Sequence, residues 1–144
     1  ILALRHPMDT ILSCWMQNFK LNAPMANMVD LDRIVDFYCI AMETFKICRA
    51  NFNLHVHEIR YEDLINNFQN ECEAVVDFLS LHWEPEMRYY QDTALNRGRI
   101  HTPSYSQVVL PIYKDAQYRW HNYRKYLKQY LDQVKPWVLE FGYD

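Results

Sequence analysis

Arg5 closes an apolar run, Ile1-Leu2-Ala3-Leu4, and stands two residues ahead of Pro7. The run reads as a buried strand over Ile1–Arg5. Pro7 suits the first position of a helix, where its missing N–H would have no partner anyway. An arginine between a strand's carboxyl end and a helix N-terminus is chemistry for an anion. Ligands of open α/β sheets bind in that crevice, free N–H groups and the helix dipole favour negative charge, and the guanidinium fork matches phosphate. Ser13, about two helical turns into the helix, offers a hydroxyl to the same anion if the helix packs back. A surface arginine and a serine bonded to its own helix backbone fit the same letters, and the pair alone leaves both readings open.

Tyr61 falls at the end of a second expected strand, Leu54–Ile59, on the same edge. Its ring can lie against a purine or its hydroxyl reach a phosphate; a core aromatic closing a strand–helix turn is the plainer alternative. The most unusual stretch runs from Arg97 to Gln107, with Gly98, Arg99, His101, Thr102, Ser104, Tyr105 and Ser106 inside it. Such a loop can wrap a phosphorylated nucleotide, giving donors to phosphate and an amide to a base edge. It is equally what a solvated loop ahead of a helix looks like. Arg119 follows on the next helix and is placed to reach back; Trp120 beside it fits the apolar stripe as a core residue.

Other constellations are weaker. His55 and His57 share a strand face and suit a metal, but no third ligand is evident and surface histidines are the expectation. Glu62 and Asp63 are adjacent, so they do not face each other on a helix; they read as capping and dipole partners. There is no GxSxG, HExxH or Walker loop. Gly98 and Gly142 are the only glycines, too few for a glycine-rich phosphate cradle. Cys14, Cys39, Cys48 and Cys72 show no CxxC spacing and read as free, mostly buried thiols of a reducing compartment, although spacing alone does not exclude a disulfide.

The elements that position these residues follow from periodicity. Asp9 complements the dipole of the first helix, on which Ile11, Leu12, Trp15, Met16 and Phe19 recur at helical spacing. Asn22–Asn27, with Pro24, reads as a loop. Asp30 caps a long helix with Leu31, Ile34, Val35, Tyr38, Met42, Phe45 and Cys48 on one face. Tyr61-Glu62-Asp63-Leu64 opens a short helix, Cys72, Val75, Val76 and Leu79 mark another, and Pro85 starts the next. Asn96–Gln107 reads as a loop. Ala116, Trp120, Tyr123, Leu127, Tyr130 and Val134 form a long helical stripe that Pro136 interrupts. This order predicts an α/β layer structure with parallel strands flanked by helices and a helix-rich C-terminal half.

With 144 residues, half of them hydrophobic and 15% aromatic, the chain suits one domain with a real core and not a disordered tail. A formal net charge of −3 argues against non-specific nucleic-acid binding, which needs a positive surface. No apolar run is long enough to span a bilayer, and no signal peptide is evident. The chain opens on Ile1 inside a strand, so the expectation is a fragment, 1–144 being the C-terminal portion of a larger domain.

Taken together, these segments resemble the sulfotransferases that use 3'-phosphoadenosine 5'-phosphosulfate. Arg5-His6-Pro7-Met8-Asp9 with Ser13 looks like their 3'-phosphate motif. Ile59-Arg60-Tyr61-Glu62-Asp63-Leu64-Ile65 and Phe78-Leu79-Ser80-Leu81-His82-Trp83 resemble the strand and helix that follow. Thr102-Pro103-Ser104-Tyr105-Ser106-Gln107-Val108, with Pro111-Ile112-Tyr113 and Arg119-Trp120, is similar to the C-terminal nucleotide loop, most of all in the branch of tyrosylprotein sulfotransferases and of bacterial enzymes linked to tetratricopeptide repeats. The resemblance runs from Ile1 to about Leu127. It implies a partial P-loop-type sulfotransferase fold and transfer of a sulfuryl group to an acceptor hydroxyl, with adenosine 3',5'-bisphosphate as the product. Arg5 and Ser13 would bind the 3'-phosphate. Tyr61, Ser104, Tyr105, Gln107, Val108 and Arg119 would contact the nucleotide, and Ser104 would also steady charge in the transition state. Gln17 replaces a second arginine that some relatives use for the 3'-phosphate, which weakens that grip. No metal is implied.

The same resemblance places the 5'-phosphosulfate loop and the general base upstream of Ile1. It leaves the acceptor open among peptide tyrosine, carbohydrate and small hydroxyl compounds. The helices between Lys20 and Ala50 are placed to line an acceptor cleft, but their stripe is also ordinary core. Upstream tetratricopeptide repeats are expected in one branch. The compartment follows the branch, cytoplasm for a bacterial enzyme and Golgi lumen for a tyrosylprotein-type one. A non-catalytic module that holds nucleotide or a protein is the alternative function; a nucleotide kinase of related fold, which needs a Walker lysine upstream, is a second.

Overall fold

The computed structural model describes residues 1–20, 22–96 and 110–143. They belong to two units, Ile1–Ala3 with His57–Lys114 and Leu4–Val56 with Asp115–Asp144.

β1 (Leu2–Leu4), whose first two residues belong to the first unit, and β2 (Glu58–Arg60) form a small parallel two-stranded sheet. The Leu2 N–H donates to the His57 carbonyl at 2.8 Å. β2 runs straight into α3 (Tyr61–Asn66), with Glu62 and Asp63 in its first turn as dipole rules predict. α4 (Phe68–Phe78) follows. A 3-10 turn at Pro85–Tyr89 then leads into α5 (Tyr90–Asn96). Ile65, Val76 and Ala94 are buried. α4 ends with Ser80 in the left-handed region (φ 56°). Its N–H reaches the Asp77 carbonyl, and the Leu81 N–H reaches that of Val76. Those two bonds close a Schellman motif with serine where glycine is usual.

The second unit is helical. α1 (Pro7–Met16), α2 (Leu31–Asn51) and α7 (Leu131–Glu140) pack on one another. Met8, Ile11, Leu12, Ile34, Val35, Leu127 and Val134 are each at most 2% exposed. Each such side chain contributes roughly 1.5–3 kcal/mol by leaving water. Asp30 caps α2 as expected, accepting the Arg33 N–H at 2.9 Å. Tyr130 and Gln133 bond Asp32 and Asp36 of α2, and Lys46 pairs with Glu140.

Several expectations are corrected. Trp15 and Met16 are not core: they are 47% and 46% exposed, because α1 buries only its first two turns. Only Ile34, Val35 and Tyr38 of the α2 stripe are buried, and Met42, Phe45 and Cys48 are half-covered. Asn22–Asn27 is not plain loop, since Pro24–Met28 forms a 3-10 turn. The strand expected at Leu54–Ile59 shrinks to Glu58–Arg60. Asn53 adopts a left-handed φ of 48° to end α2, and the Leu54 N–H is used on the Arg49 carbonyl, so it cannot join a ladder.

The stripe from Ala116 to Val134 is not one helix. It is a 3-10 segment (Arg119–Tyr123), α6 (Arg124–Leu127), another 3-10 segment (Lys128–Tyr130) and α7. Trp120, Leu127, Tyr130 and Val134 are nonetheless its buried members. Pro136 does not interrupt α7, although an interior proline costs about 3 kcal/mol. Val134 and Trp137 on either side are both buried, while Pro136 and Asp132 face solvent, so water can satisfy the freed Asp132 carbonyl. Gly142 (φ 66°) then turns the chain in a second Schellman motif, with Tyr143 N–H on the Val138 carbonyl at 2.8 Å.

Among the described residues the four cysteines are free and half-buried, and no helix is long and apolar enough to cross a membrane.

Candidate functional site

β1 ends at Leu4 and α1 begins at Pro7, so Arg5 and His6 are the whole strand-to-helix turn. His6 caps the helix. Its Nδ1 accepts the Met8 N–H at 3.2 Å, and its carbonyl accepts the N–H groups of Asp9 and Thr10 at 2.9 and 3.0 Å. Arg5 is half-buried, and its Nη2 donates to the Ala116 carbonyl. Burial pushes the Cys14 thiol up, and the Arg5 guanidinium opposes that shift. The charge of Arg5 therefore reaches the face of α1 at residue 14. Ser13 is exposed beside it, and Gln17 closes the helix with its N–H on the Cys14 carbonyl.

The segment that meets this turn is held at two points. Besides Arg5 on Ala116, Asp9 accepts the Trp120 N–H on Oδ1 at 2.7 Å. Asp9 is only 1% exposed. His6, also buried, stacks on Trp120 with centroids 5.2 Å apart and planes 16° from parallel. The edges of Tyr118 and Tyr143 close around the same imidazole at 5.7 and 5.2 Å. Tyr118 takes a left-handed φ of 51° to start the 3-10 segment, and Arg119, exposed, is the first residue of that segment. Arg5 and Arg119 thus ride on two stretches of backbone joined to each other, residues 5–9 and 116–120. A cleft of about 330 Å³ opens beside them, lined by His6, Trp120, His121, Arg124, Asp132 and Lys135. Arg124 lies over the Trp120 ring, 6.0 Å from its centroid.

Tyr61 stands at the start of α3 in the first unit. Its hydroxyl donates to the Tyr113 carbonyl at 3.4 Å, and Lys114 Nζ donates to Asn66 Oδ1 at 2.7 Å. The chain after residue 110 is thereby tied to α3. Ser104, Tyr105, Gln107 and Val108 lie outside the described residues. His57 is half-buried against Phe78 with centroids 5.3 Å apart, not on a strand face, and His55 is exposed outside any strand. Among the described residues no three His, Cys, Asp or Glu side chains are grouped to hold a metal ion.

Sequence reasoning missed His6 as the cap of α1 and the bond from Asp9 to the Trp120 N–H. Histidine is an uncommon cap, and the only local signal for it was its place directly before Pro7. Asp9 satisfies a local rule as a first-turn acid, and nothing local announces a bond to an amide 111 residues away.

The match to the sulfotransferase family model covers residues 1–85. The chain belongs to the sulfotransferase family. The matched region runs from β1 through α4 and so includes Arg5, Ser13 and Tyr61, whereas Arg119 and the stretch around Ser104 lie beyond it. Neither the curated proteins nor the solved structures include a match to this chain. The parallel pair of strands within a helix-rich chain is consistent with the α/β fold of a sulfotransferase.

Proposed function

We propose that this chain supplies the 3'-phosphate and nucleotide-binding part of an enzyme that moves a sulfuryl group from 3'-phosphoadenosine 5'-phosphosulfate to an acceptor hydroxyl. The observation that carries the reading is the Arg5 turn: a half-buried guanidinium at the N-terminus of α1, with the segment bearing Arg119 bonded across it, in a chain of this family. Two guanidiniums are donors suited to a phosphate dianion, whereas the first N–H groups of α1 are already taken by His6. Arg5 and Ser13 hold the 3'-phosphate in this reading, and Arg119 adds a second charge. Tyr61 contacts the nucleotide from the strand edge, and Ser104, Tyr105, Gln107 and Val108 close over it.

The reaction asks for positioning and charge stabilisation more than covalent chemistry, by analogy with phosphoryl transfer. The acceptor oxygen attacks sulfur in line while adenosine 3',5'-bisphosphate leaves. Ser104 steadies the charge that develops, and a base from another part of the enzyme takes the acceptor proton. The likeness of residues 102–113 to the tyrosylprotein branch favours a peptide tyrosine as acceptor and a P-loop-type fold for the complete domain.

The test is calorimetry on the protein with adenosine 3',5'-bisphosphate and with adenosine 5'-monophosphate. Arg5→Ala should weaken the bisphosphate by about 1.5–3 kcal/mol, the range for a charged hydrogen bond, and leave the monophosphate unchanged. Equal affinities of wild type and variant for the bisphosphate would show that Arg5 does not hold it.

A further inference from the structure

Asp9 is one of three buried polar or charged side chains among the described residues, with His6 and Glu62. A carboxylate taken from water needs compensation, or its burial is strongly unfavourable. Asp9 finds part of that compensation at the N-terminus of its own helix, in whose first turn it lies. Its Oδ1, however, is used on the Trp120 N–H at 2.7 Å, the amide directly after Arg119. Arg5 holds the carbonyl of Ala116 at the other end of the same stretch. Between the two bonds lies Tyr118, a non-glycine residue in the left-handed region (φ 51°, ψ 26°). Such a conformation is strained for a residue with a side chain and persists only where its surroundings hold it. The His6 ring, against Tyr118 and Trp120, is part of those surroundings.

We infer that Asp9 is a positioning residue for nucleotide binding: it fixes the backbone at Trp120 and so holds Arg119 opposite the anion site at Arg5. The inference rests on the reading of Arg5 as the 3'-phosphate ligand. A carboxylate that served only to cap α1 would not need a partner 111 residues away. Asp9 itself touches no phosphate. Its charge would repel one, so its contribution comes through Arg119, which it sets in place.

The experiment measures affinity for adenosine 3',5'-bisphosphate and adenosine 5'-monophosphate in wild type, Asp9→Ala and Asp9→Asn, with circular dichroism to check folding. The quantity read is the preference for the bisphosphate. In Asp9→Ala that preference should fall about ten- to a hundred-fold, as expected when a binding group is displaced by a change remote from the ligand. Asp9→Asn keeps an acceptor oxygen and should restore most of it. If both nucleotides weaken in proportion in Asp9→Ala, the role is only structural and the inference is overturned. Should Asp9→Ala not fold, hydrogen exchange of the Trp120 amide in wild type decides. Adenosine 3',5'-bisphosphate should slow it more than the monophosphate does, and equal slowing would refute the inference. A wild type without preference for the bisphosphate would instead overturn the reading of Arg5, and this inference with it.

Discussion

Removing the hydroxyl of Tyr130 isolates the bond that ties the start of α2 to the C-terminal segment. Tyr130 is 8% exposed, and its hydroxyl donates to Asp32 Oδ1 at 2.6 Å. Asp32 lies in the first turn of α2. A hydrogen bond to a charged acceptor is worth about 1.5–3 kcal/mol. Asp32 is exposed, so its carboxylate regains water once the hydroxyl is gone, and the lower end applies. Tyr130→Phe should therefore destabilise by about 1.5 kcal/mol, or about 3–6 °C in Tm for a chain of this size. A double-mutant cycle with Asp32→Asn, followed by urea unfolding, separates the bond from the packing of the ring and should return a coupling of about 1 kcal/mol.

The pH dependence gives a second check. The hydrogen bond to Asp32, then burial and the charge of Asp32, raise the Tyr130 pKa in the fold. A folded value above the unfolded one means that the stabilisation is complete below the ordinary tyrosine pKa of about 10 and is lost as pH rises through the raised value. Wild type should thus lose its advantage over Tyr130→Phe as pH rises into the alkaline range. A variant as stable as wild type at neutral pH, with no coupling to Asp32, would refute the argument.

Three further outcomes follow from local geometry. Ser80→Gly should stabilise by about 0.5 kcal/mol in thermal unfolding, since the left-handed residue that ends α4 costs about 1–2 kcal/mol without glycine and the looser unfolded chain takes back part of the gain. Leu127→Ala, at a side chain 1% exposed, should cost about 2–5 kcal/mol in urea unfolding. Arg5→Gln, which keeps a donor for Ala116 but removes the charge that partly offsets the upward shift of the Cys14 thiol, should slow alkylation of Cys14 at a fixed mildly alkaline pH; an unchanged rate would show that the charge does not reach that thiol.

The start of each long helix was legible because local chemistry decides it. Pro7 suits a first helical position, and the Asp30 carboxylate bonds the Arg33 N–H wherever the rest of the chain goes. Periodicity also named the buried members of the last stretch, Trp120, Leu127, Tyr130 and Val134. It did so while misjudging the backbone between them, because 3-10 and α turns place residues three and four apart on nearly the same face. Burial was less legible. Trp15 and Met16 continue the stripe of Ile11 and Leu12, yet α1 meets its neighbours only along its first two turns. An apolar pattern records what a face could bury, not how far the partner extends.

The candidate site divides along the same line. The place of Arg5 in the strand-to-helix turn was legible because strand, arginine and proline are adjacent in the chain. Asp9 was read as a first-turn acid, which it is, and that local explanation gave no reason to look for a second role. What separates the two roles is the partner, the Trp120 amide, and separation along the chain leaves no periodic trace. The alternation that sets a strand and the three-and-four spacing that sets a helix are both short-range, whereas the bonds that join residues 5–9 to residues 116–120 each cross 111 positions. The family match stops at residue 85, before that second stretch begins. The pairing of Arg5 with the segment bearing Arg119 is therefore information that the folded chain adds, and any change that spares Arg5 but frees Trp120 tests whether nucleotide binding depends on it.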